Sequence, residues 1–207
     1  LTTEKKLIQM ELKGILTNKL RNKLIKMRIA TGCNRNLNNV ETKIIKQYRS
    51  KMMLYEKLKN KYVNVVKKPI KNGSITSGYA TTKRPNHFAI DIGGVSQGTR
   101  VNSTKLGIVH GVFYQPGGVK NKKPFAGAGR YVVIKNADNT YSLYMHLQKN
   151  SVKLKAGDIV KPGDKVGNMG NTGSETIYMG AHLHYEERLK LVPATYRRPL
   201  KVEKLYK

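Results

Sequence analysis

The chain has one cysteine, Cys33, so no disulfide can form within it, and a lone cysteine reads as inert rather than catalytic. Tryptophan is absent and phenylalanine occurs three times. No run of about 18 apolar residues occurs, so no stretch is apolar enough for a helix that crosses a membrane. Leu1 to Ile15 mix charged and apolar residues and lack the continuous apolar core of a secretion signal. The chain starts on Leu, as a processed product or a fragment would. Acidic residues are scarce: 12 Asp+Glu stand against 40 Lys+Arg, a net charge of +28. The excess is spread evenly. Residues 1–70 hold 18 basic and 4 acidic side chains, and residues 71–207 hold 22 and 8. A chain so charged attracts polyanions: nucleic acid, anionic wall polymers or an anionic membrane surface. Its 207 residues, 39% of them hydrophobic, suit one or two domains with a real core.

Apolar residues recur at three- and four-residue steps from Leu7 to Met27, which predicts a helix over 4–30 that Gly32 ends. A polar turn follows at 33–39. Asn38 and Glu41 make a capping-box-like start to a second helix over 40–66, with Val40, Ile44, Tyr48, Met52, Tyr55, Tyr62 and Val65 on one stripe. The two stripes suggest an antiparallel helical hairpin. Lys67-Lys68-Pro69-Ile70-Lys71-Asn72-Gly73 reads as a boundary. Beyond it, period-two alternation replaces the helical step. Strands are expected at 74–80, 87–92, 107–114, 131–136, 141–147, 158–160, 165–169 and 181–189, which indicates an antiparallel β domain. The glycine- and lysine-rich stretch 115–130 reads as a mobile loop beside a groove.

Four of the five histidines fall into a pattern. In Met179-Gly180-Ala181-His182-Leu183-His184-Tyr185-Glu186, strand alternation sends His182, His184 and Glu186 one way and Leu183 and Tyr185 the other. In His87-Phe88-Ala89-Ile90-Asp91, the apolar Phe88, Ile90 and Ile92 share one side, and His87 and Asp91 converge on the other. In Tyr141-Ser142-Leu143-Tyr144-Met145-His146-Leu147, Leu143, Met145 and Leu147 form the apolar side and His146 points away from it. Neutral imidazole and carboxylate both ligate zinc at about 2.0–2.2 Å. His87, Asp91 and one imidazole of the His-x-His pair would give three protein ligands and leave a fourth position open, as a catalytic zinc requires. His110 reads as an incidental strand histidine.

From Ser74 to Leu200 the chain resembles the lysostaphin-type (LytM-like) zinc endopeptidases of bacterial peptidoglycan. The matching pieces, in family order, are Ile75-Thr76-Ser77-Gly78-Tyr79, His87-x-x-x-Asp91-Ile92-Gly93, Gly98-Thr99-x-Val101, Tyr144-Met145-His146-Leu147, Ala156-Gly157-Asp158-x-Val160-Lys161-x-Gly163-Asp164, Gly170-Asn171-Thr172-Gly173 and His182-Leu183-His184-Tyr185-Glu186. The resemblance implies that His87, Asp91 and His184 bind Zn2+, and that His182 and His146 are an unliganded catalytic pair. It makes Tyr79 a candidate hydroxyl donor to the oxyanion. The resemblance implies a mainly antiparallel β peptidase domain with an open groove over 69–207; with the helical hairpin read from periodicity over residues 1–68, the fold class is α+β. Ala89 stands where the family usually has glycine. The turn Ser174–Gly180 is longer than usual and borders the substrate groove.

The implied partner is bacterial peptidoglycan, with anionic wall polymers as a further one. The implied location is extracellular, at the cell wall or on a phage virion tail. The helical N-terminal piece and the missing signal core lean towards a phage tail lysin, with residues 1–68 contacting tail proteins. A secreted bacterial autolysin is the alternative, with the N-terminal segment covering the groove. A third reading is a wall-binding module that has lost catalysis. With three Phe, no Trp and no recognition motif, a specific nucleic-acid partner is not expected.

Overall fold

A computed structural model describes residues 39–174, 179–191 and 201–207. The helix expected over 4–30 and most of the turn after it lie outside the described residues. The chain divides into two compact units, Leu1–Lys61 and Tyr62–Lys207.

Helix α1 runs Asn39–Tyr62. It ends four residues earlier than the stripe predicts. The β-branched Val63, Val65 and Val66 weaken helix propagation. The backbone is then claimed by other partners: the Lys67 N–H donates to the Thr104 carbonyl at 2.9 Å and the Asn102 N–H to the Pro69 carbonyl at 2.8 Å.

The second unit carries β1 (Ser74–Ser77), β2 (Ile90–Gly93), β3 (Arg100–Asn102), β4 (Gly107–Gln115), β5 (Gly118–Lys120), β6 (Lys123–Phe125), β7 (Gly129–Asn136), β8 (Tyr141–Leu147), β9 (Ile159–Val160), β10 (Lys165–Asn168) and β11 (Leu183–Arg188). Seven form one sheet in the order β1-β2-β11-β8-β7-β4-β9, and β10 pairs with β3 and β5 with β6. Every pairing is antiparallel. The 115–130 stretch, expected to be a loop, contains the β5–β6 hairpin. Its two turn residues, Asn121 and Lys122, have φ of 53° and 60°. These are the φ signs a type I′ turn needs, here made without the glycine that usually marks one.

One face of the large sheet covers the main core, where Ile90, Ile92, Val109, Val132, Ile134, Leu147 and Leu183 are fully buried. The hydroxyls brought into this core are paired, as burial demands. Tyr144 and Tyr185 each place their OH 2.9 Å from Thr104 Oγ1, and Ser142 Oγ is 3.0 Å from Tyr185. Lys105 Nζ sits between Glu187 and Asp138, 2.8 Å from each. The C-terminal 3-10 helix, Lys201–Leu205, buries Val202 in the same core.

The opposite face carries Leu143 and Met145 of β8 with Val133 of β7. This corrects the sequence reading of β8. Ser142, Tyr144 and Leu147 face the core, whereas Leu143 and Met145 lie on the other side. Tyr144 and Leu147 are three residues apart yet share a face, so one extra residue is inserted between them. The β7–β8 register shifts there, between Arg130 and Val132, and His146 has φ of 60°. The insertion is a β-bulge that turns His146 towards β11.

Candidate active site

Three antiparallel strands bring the polar side chains together. His184 of β11 pairs with Asp91 of β2 on one side and with Met145 of β8 on the other. His87 precedes β2 and does not belong to a strand, contrary to the expected strand from 87. It enters from a turn in which its N–H donates to the Arg84 carbonyl at 3.0 Å and its carbonyl accepts from Ala80 at 2.8 Å. Its ring still meets Asp91, because four residues of loop and strand bring both side chains to one point.

That point is defined by three atoms. Asp91 Oδ1 lies 3.0 Å from His87 Nε2 and 2.9 Å from His184 Nδ1, and the two nitrogens are 3.4 Å apart. The outer nitrogens are tied down. His87 Nδ1 donates to the Gly78 carbonyl at 3.0 Å, and His184 Nε2 donates to Glu186 Oε1 at 3.2 Å. Since a carbonyl can only accept, His87 Nδ1 carries a proton, and Nε2 is the nitrogen that faces Asp91. Burial lowers the His184 pKa, but Asp91 and Glu186 outweigh it and raise the pKa overall. Burial also works to raise the Asp91 pKa, yet His184 and Arg84 hold that carboxyl well below the usual carboxylate range.

The donor set fits zinc. Ligands of a tetrahedral zinc at about 2.0–2.1 Å stand about 3.3 Å apart, close to the triangle of His87, Asp91 and His184. Outer-nitrogen bonds to a carbonyl and a carboxylate are the usual supports of metal-binding imidazoles. Among the described residues, His87, Asp91 and His184 are the group whose ligand atoms converge in this way.

The other two histidines stand beside this triangle. The His146 ring is 4.9 Å from that of His182 and 5.8 Å from that of His184, centroid to centroid. His182 Nε2 is 3.8 Å from Asp91 Oδ1. Each has its Nδ1–H on a carbonyl, His146 on Thr172 at 2.9 Å and His182 on Gly180 at 2.8 Å, so each presents Nε2 as the free nitrogen. Burial pushes the His146 pKa down to about 4 against the pull of the Thr172 carbonyl, so its imidazole is neutral at neutral pH. The Thr172 carbonyl is held in turn by a crossing of Gly129 and Gly173. Both have positive φ, and a Cβ on Gly129 would run into the Thr172 carbonyl.

Tyr79 packs its ring 5.9 Å from Phe88 and against the main core. His110 lies on β4, with β8 and β7 between it and β11, and packs 6.1 Å from Tyr141. Sequence reading singled out neither Arg84 nor the role of Glu186. Arg84 Nη1 donates to Asp91 Oδ2 at 2.7 Å and to Ser77 Oγ at 2.9 Å. Glu186, brought to a pKa of about 2 by hydrogen bonds from His184 and Arg188 that outweigh its burial, links His184 to Arg188. For Glu186 the i, i+2 spacing from His184 was a usable signal. For Arg84 there was none.

Comparison with known proteins places this arrangement. Over 100 residues the chain is 43% identical to an uncharacterized metalloprotease of Haemophilus influenzae, covering 48% of this chain and 18% of that protein. Over 75 residues it is 40% identical to the peptidoglycan DD-endopeptidase ShyC of Vibrio cholerae, covering 36% of this chain and 16% of that one. The chain therefore spans less than a fifth of the length of these two relatives. Among solved structures, a variant of the catalytic domain of the prophage-encoded M23 protein EnpA from Enterococcus faecalis matches at 30% identity and a TM-score of 0.48, covering 62% of this chain and 89% of that domain. The model of peptidase family M23 matches residues 85–195, a span that begins just before His87 and runs past β11, and on that match the chain belongs to peptidase family M23.

Proposed function

We propose that this chain is a zinc-dependent endopeptidase that hydrolyses peptide bonds in bacterial peptidoglycan cross-links. The observation that carries the proposal is the convergence of His87 Nε2, Asp91 Oδ1 and His184 Nδ1, with both outer nitrogens already engaged. These three residues would hold the metal. Bound zinc supplies polarisation of the scissile carbonyl and a lower pKa for water. The free Nε2 of either His146 or His182 takes the proton of the attacking water and returns it to the leaving amine. The imidazole that is not carrying that proton orients the water and offsets charge on the carbonyl oxygen. The open groove over Thr76, Ser77, Gly93 and His182 leaves room for an extended peptide.

The substrate class is supported by the relatives whose names describe peptidoglycan DD-endopeptidases, and the charge of +28 suits an anionic wall. In this reading the protein acts at the cell wall. Residues 69–207 are the peptidase domain and residues 1–68 an accessory segment that docks to phage tail proteins. What supports that division is the change from helical to alternating texture at 67–73.

Elemental analysis of protein purified without chelators tests the centre of the proposal. About one zinc per wild-type chain is expected, lost in His184→Ala with the same circular dichroism, and wild type should release new amino groups from isolated sacculi. Wild type that takes up no metal even when zinc is added back would overturn it.

A further inference from the structure

Arg84 is bound on one edge and free on the other. Its backbone is fixed by the turn between β1 and β2, where its N–H donates to the Thr81 carbonyl at 2.9 Å and to Thr81 Oγ1 at 3.2 Å. Both contacts of its guanidinium fall on one nitrogen: Nη1 donates to Asp91 Oδ2 and Ser77 Oγ. Nε and Nη2 donate no hydrogen bond among the described residues, and the side chain is 52% exposed. Those two nitrogens form the side-on fork that matches the two oxygens of a carboxylate.

Arg84 lines a recess with Thr76, Ser77, Gly93, Gly94 and His182, together with Asp91. Asp91 is its single carboxylate, and both of its oxygens are taken, Oδ1 by His87 and His184 and Oδ2 by Arg84. The fork therefore has no counter-charge of its own within the recess. Gly93 and Gly94 put no side chain there. His182 and Arg84 flank the same Asp91 carboxylate, with Nε2 3.8 Å from one oxygen and Nη1 2.7 Å from the other. One carboxylate thus links Nη1 to His182, and a group on the fork is within about four peptide residues of the bond presented to His182.

We propose that Arg84 binds a carboxylate carried by the substrate peptide within a few residues of the scissile bond. This rests on the peptidase reading above. It selects acidic stem peptides over glycyl bridges, whose residues carry no side-chain carboxylate. Anchoring by Nη1 fixes the guanidinium beforehand, so little ordering remains for the substrate to impose. A residue needed only to hold Asp91 would use one nitrogen, which a lysine also supplies.

The test uses the full, zinc-loaded chain and a synthetic cross-linked stem-peptide dimer. The dimer is made as the free acid and with each carboxylate converted singly to the carboxamide. Wild type should prefer the free acid at one position by about tenfold or more in kcat/KM. Arg84→Lys, which retains one contact to Asp91 without the fork, should keep its zinc and bring that ratio close to one, and Arg84→Gln should bring it close to one as well. A purely structural role would lower kcat/KM for all the peptides alike and leave the ratio unchanged, and that result overturns the proposal. Wild type that cuts every form equally also overturns it while leaving the peptidase reading intact. Wild type that cuts neither the peptides nor sacculi overturns the peptidase reading and this proposal with it.

Discussion

Each imidazole of the proposed metal centre has its outer nitrogen committed. For His184 the commitment is to Glu186, which Arg188 Nε holds from the far side at 2.6 Å. Removing that carboxylate frees the ring to rotate and lowers its basicity. Glu186→Ala should therefore weaken zinc binding about 10- to 100-fold, read by competition against a chelating dye. An unchanged affinity would mean that the sheet alone orients His184. At this scale the sequence was partly legible. Alternation along β11 put His184 and Glu186 on one face because that strand is regular. It could not show Arg84, whose link to Asp91 depends on the path of the turn between β1 and β2. His87 reaches the cluster even though the strand expected to carry it starts three residues later, at Ile90.

Among the elements, β8 departs furthest from simple alternation, and its departure turns His146 towards His182 and His184. Without the bulge, His146 would share the core face with Tyr144. Strain at φ 60° is the cost of turning it to the groove. Two substitutions isolate that strain. His146→Ala and His146→Gly both remove the imidazole and its bond to Thr172, and they differ only in tolerance of positive φ. The glycine variant should be the more stable by about 1 kcal/mol, the reverse of the usual order inside a strand. Denaturant unfolding of both proteins checks this, and an alanine variant of equal or greater stability would show that the bulge relaxes when the ring is gone. The bulge was invisible in the sequence because Tyr141–Leu147 reads as clean alternation. The β5–β6 hairpin was hidden for a different reason: its turn is Asn121-Lys122, and its strands are rich in lysine and proline rather than β-branched residues. Short β3 gave no periodicity to read. The bounds of the long strands β4, β7 and β8 were legible to within two residues.

For the molecule as a whole, the charge of +28 is a long-range property that composition alone revealed. In the proposed function it would govern encounter with an anionic wall and leave proton transfer at His146 and His182 untouched. Adsorption to isolated sacculi should fall steeply as salt rises from about 50 to about 500 mM, while hydrolysis of a small soluble peptide changes by no more than about twofold. Salt-independent adsorption, measured by pelleting, would rule out charge as the means of attachment. Composition could not reveal which distant segments meet, and the ligand triangle depends on that. Asp91 and His184 are 93 residues apart along the chain, and His87 and His184 are 97. A cation gripped by all three clamps the first strands of the β unit to its last. Its grip exists only while the intervening sheet is intact, so binding and folding are thermodynamically linked. At a free zinc concentration about 1,000 times the dissociation constant, the linkage adds about 4 kcal/mol to the stability of the folded chain. Metal supply would then decide how long the protein survives among proteases as well as whether it can cut.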